Sequence, residues 1–405
     1  MKNNIDNENH VNVRDIPEDD GREKISQVLM EMEALLTGIK LENQLINECL
    51  RTTYKNIASY KSLNDKFAMI FPYSDAIICF QSGISQDLLL SCLSLLSRSD
   101  FFPVDEFIND YFVDSLFNFL SCSRKVIIKR ILYLISNLAK KSVPFCEFLL
   151  KKNAISAFCN YNDESVISVL QVFILYASSQ EERDILWMQV QKFINRIEST
   201  HKVLDFVAYC IGKEIFIEGF GVLLKDLCMY INSDEAFICN SAIKLAKIIP
   251  EKNIDVAIAI MNSMMKHVNT TIIENSYDYL IETYDIWCGY GYDEIIEFIT
   301  TLDKELMYEV EKKGAILLSL LLSFENPIND NVISVLEKFL NEKEISLIVI
   351  DKCLNALSDK IDNDDYNDFF SLVNEIAENL RVSSLDPELT VLSSKYCEII
   401  KNLHF

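Results

Sequence analysis

Between Arg124 and Lys152 stand Arg124, Lys125, Lys129, Arg130, Lys140, Lys141, Lys151 and Lys152, against the single acid Glu147. Lys125 and Lys129 are four residues apart and share a helix face. In a chain of formal charge −23, such an island could hold an acidic peptide, a phosphate cluster or an acidic partner. A structural use is equally open to four of these lysines, because Lys140, Lys141, Lys151 and Lys152 sit where helices end and cations complement the dipole. A second cluster, NSYDYLIETYDIWCGYGYDEIIE (275–297), interleaves Tyr277, Tyr279, Tyr284, Trp287, Tyr290 and Tyr292 with Asp278, Glu282, Asp285, Asp293 and Glu294. Aromatic faces beside carboxylates suit a peptide bearing Lys or Arg. Large aromatics also fill the core between helices. Gly289 and Gly291 allow a sharp turn there.

Catalysis finds no matching constellation. The four His (His10, His201, His267, His404) are scattered, without a metal-ligating pair. Gly219-Phe220-Gly221 and Gly289-Tyr290-Gly291 are too short for a dinucleotide or phosphate loop, and no G-x-S-x-G is present. No two of the 12 Cys stand at C-x-x-C spacing. The chain therefore reads as a non-enzyme without a cofactor.

The elements that position these residues must be helices. The 405 residues exceed a single compact core, and only 9 Gly and 7 Pro interrupt them. That favours repetition over sandwiches or barrels, which need frequent turns. Residues 1–21, MKNNIDNENHVNVRDIPEDDG, are polar and read as a disordered tail without an apolar leader. From Arg22 the helix period dominates: Ile25, Val28, Leu29, Met32, Leu35 and Leu36 recur at helical spacing, and Gly38 is placed to close that helix. Ser179 with Glu182 predicts a capping box. Asn326-Pro327 and Asp386-Pro387 predict helix starts. About eighteen to twenty helices and no strands are expected. Apolar runs such as 88–96 and 315–322 fall short of the ~18 residues a membrane span needs. The net charge opposes nucleic acid. Reduced thiols and the polar start together imply a cytoplasmic or nuclear protein.

Residues 131–158, ILYLISNLAKKSVPFCEFLLKKNAISAF, define a unit. One apolar helix ends at Lys140-Lys141, Ser142 and Pro144 start another, Lys151-Lys152 end it, and Asn153 takes a left-handed turn before a third run. About 41 residues earlier the pattern recurs: Pro103 matches Pro144, Phe107 matches Phe148, Phe117 matches Phe158, Leu90 matches Ile131 and Leu93 matches Leu134. A further copy starts near Glu182, with Phe193 in the place of Phe158. Helix ends recur near Leu96, Leu138, Ala177, Ile211, Ala246, Ile281, Leu322, Leu357 and Ile400, at the spacing of helical solenoids.

The run Leu134 to Ala139, followed by Asn153, Ala154 and Ile155, resembles an armadillo repeat junction, with Asn153 where the family usually has glycine. Elsewhere two-helix HEAT-like units fit as well. The resemblance implies an all-α, right-handed solenoid of about nine armadillo/HEAT-like units over residues 22–405. It also implies a protein-binding scaffold or adaptor that recognises a protein or peptide along a concave surface. In importin-alpha-like armadillo proteins, a Trp and an Asn one turn apart clamp a peptide. Tyr133 and Asn137 have that spacing, whereas Trp187 and Trp287 lack the Asn. The candidate partner-binding residues are thus Arg124, Lys125, Lys129, Arg130, Tyr133, Asn137, Tyr284, Trp287 and Tyr290. Tyr133 packing in the core and Asn137 capping a helix end is the alternative for that pair. Two further functional readings are an importin-alpha-like transport adaptor for basic cargo and a regulatory subunit of a phosphatase, kinase or chaperone.

Overall fold

The computed structural model describes residues 18–40, 46–79, 86–120, 124–152, 154–159, 161, 163–177, 179–302, 306–324, 328–358, 367–384 and 386–403. Among the described residues there are helices, turns and no strand. The helices exceed the expected eighteen to twenty because single residues split several of them. Asp226, for example, separates Phe220–Lys225 from Leu227–Ile231.

Local chemistry explains the element ends. Helix Glu18–Lys40 begins inside the stretch expected to be a tail. Residues 1–17 lie outside the described residues. Gly38 does not close this helix, which runs on to Lys40. A Cβ at position 38 would stand 2.5 Å from the Cys49 sulfur, so the missing side chain gives room to Cys49 on helix Ile46–Ser59. Helix Lys125–Lys141 ends on its lysine pair. The Ser142 hydroxyl then accepts from the Phe145 amide at 3.3 Å, Pro144 sits in the first turn, and helix Val143–Lys151 follows. Ala154–Cys159 is the third helix of that unit; Asn153 lies outside the described residues. Ser179 and Glu182 form the reciprocal capping box, with the Glu182 amide on Ser179 Oγ at 3.2 Å and the Ser179 amide on the Glu182 carboxylate at 3.4 Å. Asp386 caps helix Pro387–Leu403 by accepting from the Glu388 and Leu389 amides. The other start, Asn326-Pro327, is outside the described residues.

The chain divides into two compact units, Met1–Gln189 and Val190–Phe405. In the first, Glu18–Lys40 packs on Ile46–Ser59, that helix on Gln86–Leu96, that on Lys125–Lys141, and that on Val166–Tyr176. In the second, Ile197–Gly212, Ala236–Ile248, Thr270–Glu282, Tyr308–Leu321, Lys343–Ser358 and Pro387–Leu403 pack on one another in the same chain order. These are the helices whose ends recur at regular intervals in the sequence. Other helices, such as Asp110–Leu120 and Ile254–His267, pack against these rows. The apolar side chains that meet between the helices, including Leu90, Leu93, Ile131 and Leu134, are fully buried.

Polar bonds link equivalent points of successive units. Asn137 donates to Ser97 Oγ at 2.9 Å across 40 residues, Ser263 to the Ile231 carbonyl across 32, and the His267 ring contacts the Ser233 carbonyl across 34. Lysines close the ends of neighbouring helices. Lys141 donates to the Ser99 carbonyl, and Lys352 reaches the Leu320 and Leu322 carbonyls at 2.5 and 2.8 Å. Burial lowers the pKa of both; nearby acids, Asp100 and Asp65 for Lys141 and Asp351 for Lys352, oppose that shift without reversing it.

Asp278 joins two lysines in the second unit, lying 2.7 Å from both Lys247 and Lys313. Partial burial pushes its pKa up, but hydrogen bonds and charge from the two lysines outweigh burial and hold it below its ordinary 3.8. A depressed carboxylate stabilises the fold fully above its unfolded pKa, and that stability is lost as pH falls through the folded value. We expect Asp278→Asn to lower unfolding stability by about 1–2 kcal/mol at pH 7. The gap between variant and wild type should close below pH ~4 in thermal melts.

Candidate functional site

Helix Lys125–Lys141 sorts its side chains by face. Ile127, Ile131, Leu134, Ile135 and Leu138 are buried. Val126, Lys129 and Tyr133 are exposed, with Arg130 and Asn137 half-buried beside them. The helix packs between Gln86–Leu96 and Val166–Tyr176.

Tyr133 is neither in the core nor unengaged. Its hydroxyl accepts from Arg98 Nε at 2.6 Å, and the Arg98 guanidinium carbon lies 5.1 Å from its ring centre. Asn137 caps no helix end; it donates to Ser97 on the turn after the preceding helix. Arg130 donates to Ser91 and carries its guanidinium to 5.5 Å from the Tyr54 ring centre, so it reaches across helix Gln86–Leu96 to Ile46–Ser59. Cation–π contacts of this kind contribute ~0.5–1 kcal/mol at exposed sites.

The basic island therefore separates into two sets. Arg124 is paired with Asp87 at 2.5 Å, Lys152 with Asp110 at 2.6 Å, and Lys141 with the Ser99 carbonyl and Asp100. Lys125, Lys129, Lys140 and Lys151 are exposed and have no ion pair among the described residues. Lys125, Lys129, Arg130, Tyr133 and Asn137 share one helix, as the sequence reading requires. Arg98 and Tyr54 are additions that it missed. A 41-residue offset would have paired Tyr133 with position 92, whereas the long arginine side chain reaches it from six residues further on.

The aromatic cluster of the second unit is largely interior. Trp287 is fully buried, donates its indole N–H to the Leu280 carbonyl at 2.8 Å, and meets Tyr284 edge to face at 5.6 Å. Its polar atom is satisfied by the backbone and its faces are covered, which takes it out of the candidate surface. Tyr277 and Tyr279 are buried too, and burial raises the Tyr279 phenol to about 12. Tyr284 is half-buried, and Tyr290 is exposed between Gly289 and Gly291, whose φ angles of 101° and 65° require glycine. Burial likewise raises the Cys92, Cys146 and Cys210 thiols to about 12, which leaves them unreactive. Among the described residues no three His, Cys, Asp or Glu side chains gather as a metal site, and no helix is long and apolar enough to cross a membrane.

No protein-family model matches the chain, and no curated protein matches it. Among solved structures, it is similar to an engineered protein crystallised by the Northeast Structural Genomics Consortium. The two share 13% identity over 92% of this chain and 99% of that one, with a TM-score of 0.51. A second engineered protein from the same consortium matches 81% of this chain and 97% of its own at 13% identity, but its TM-score of 0.21 carries no argument. Neither is described as an armadillo or HEAT protein. The fold is all-α and compatible with a helical repeat protein.

Truncating Trp287 separates core from surface. We expect Trp287→Ala to cost about 3–5 kcal/mol in denaturant unfolding. Tyr290→Ala should stay within ~0.5 kcal/mol of wild type. Equal stability of the two variants would remove Trp287 from the core.

Proposed function

We propose that this chain is a non-enzymatic binding scaffold, an α-solenoid of armadillo/HEAT-like units that recognises a protein or peptide partner. One observation carries the reading: within each unit a row of helices packs one on the next in chain order. A row of this kind suits an extended segment, which can meet one helix after another. The cationic stripe on Lys125–Lys141 supplies the recognition chemistry, and the buried, unpaired thiols fit a cytoplasmic or nuclear setting.

An importin-like adaptor for basic cargo gains no support at Tyr133 and Asn137. Arg98 lies over the tyrosine ring, so a basic side chain would meet like charge there. Nothing in the two units selects a phosphatase, kinase or chaperone subunit.

Affinity purification with lysine crosslinking tests the scaffold. Partner peptides should crosslink to Lys125, Lys129 or Lys140. The Lys125→Glu/Lys129→Glu variant should recover those partners several-fold less, with an unchanged melting curve. Undiminished recovery by that variant would move binding off this stripe, and no recovery by wild type would sink the scaffold itself.

A further inference from the structure

Several lysines of this chain answer its own carboxylates. Lys152 meets Asp110, Lys247 meets Asp278, Lys266 meets Asp234, and Lys312 meets Glu342. The cationic stripe formed by helix Lys125–Lys141 and the turn after Gln86–Leu96 has different surroundings. Arg98 and Arg130 lie on tyrosine rings, and Lys125, Lys129 and Lys140 are exposed. None of these five cations has an ion pair among the described residues, in a chain with 61 Asp and Glu. Asp87 and Asp100, on the same unit, stand against Arg124 and Lys141.

We propose that this stripe holds an extended peptide rich in Asp and Glu. The proposal rests on the scaffold reading and names its partner. Two features favour carboxylates. First, the tyrosine contacts hold both guanidinium groups before any ligand arrives, which reduces the ordering cost of binding. Second, each arginine keeps donors to spare. Arg98 uses Nε on Tyr133 and Arg130 uses Nη1 on Ser91, out of five N–H groups apiece. The planar fork that remains matches a carboxylate bidentately. The Asn137 amide, bonded once to Ser97, keeps its carbonyl for a peptide N–H. Lys125 and Lys129 stand four residues apart on one helix, ~6 Å along its axis. An extended peptide repeats its side chains on one face every ~7 Å, so alternate acids can meet both. The net charge of −23 repels any polyanion at long range, and duplex nucleic acid, with one charge per ~1.7 Å against one per ~7 Å for alternate acids, is repelled more strongly.

The test is fluorescence anisotropy of a labelled octaglutamate peptide with the full chain, at low and moderate salt. Octalysine and a single-stranded 20-nucleotide DNA are the comparison probes. Octaglutamate should bind, weaken with salt and outcompete both. Arg98→Glu/Lys129→Glu should weaken it at least about tenfold, with an unchanged helical spectrum. Arg98→Lys should give a smaller loss, because it keeps the charge without the fork. If the first variant fails to fold, Lys125→Glu/Lys129→Glu, both fully on the surface, takes its place. Wild type that ignores octaglutamate, a variant that binds it undiminished, or DNA binding more tightly than the peptide would each overturn the proposal. Persistence of lysine crosslinks to a protein partner in that event would leave the scaffold standing and remove only its acidic ligand; their absence would remove both.

Discussion

Everything in this fold depends on covering helices that are apolar around most of their circumference. Val166–Tyr176 is the clearest case: Val166, Ile167, Val169, Leu170, Val172, Phe173 and Ile174 are all buried. A helix of that kind cannot stand with one side in water. Each buried aliphatic or aromatic side chain contributes ~1.5–3 kcal/mol, and the cover comes from the helix one unit away in the chain. Aromatic contacts extend the same logic. Phe117 and Phe158, equivalent positions in consecutive units, meet ring to ring at 5.9 Å.

Packing alone would tolerate sliding between units, and the polar bonds oppose it. Asn137 to Ser97, Ser263 to the Ile231 carbonyl and Lys313 to Glu274 each join points 32 to 40 residues apart. Individually such bonds add only ~0.5–1.5 kcal/mol. Their value is geometric, since each is satisfied at one register. In an acidic chain this also gives the lysines work, because they draw carboxylates of neighbouring helices together. On helix Lys125–Lys141, by contrast, Lys125, Lys129 and Lys140 are exposed and enter no ion pair among the described residues.

The helical class, the recurring helix ends and several caps were legible because they are local. Ser179 with Glu182, Ser142 with Pro144 and the lysine pair at 140–141 act within one turn, so spacing reveals them. Gly38 misled for the opposite reason: its role is set by Cys49, which sits on the next helix. Trp287 belongs to a four-residue helix, Tyr284–Trp287, too short for periodicity to show which face is buried. Its neighbours' acids made it resemble a ligand cage, while the Leu280 carbonyl that satisfies it is seven residues back. The Arg98–Tyr133 and Arg130–Tyr54 pairs were invisible for a further reason. Long side chains reach past their register neighbours, and a repeat offset cannot predict by how much.

The lysines that close neighbouring helices have a consequence for dissecting the molecule. Lys352 supplies protons to carbonyls at the end of Tyr308–Leu321, and Lys141 does so for the turn after Gln86–Leu96. Each of these helices is thus finished by a residue made thirty or more positions later. A fragment cut directly after such a helix would expose raw carbonyl ends, so sound boundaries for expression lie one helix beyond the apparent edge of a unit.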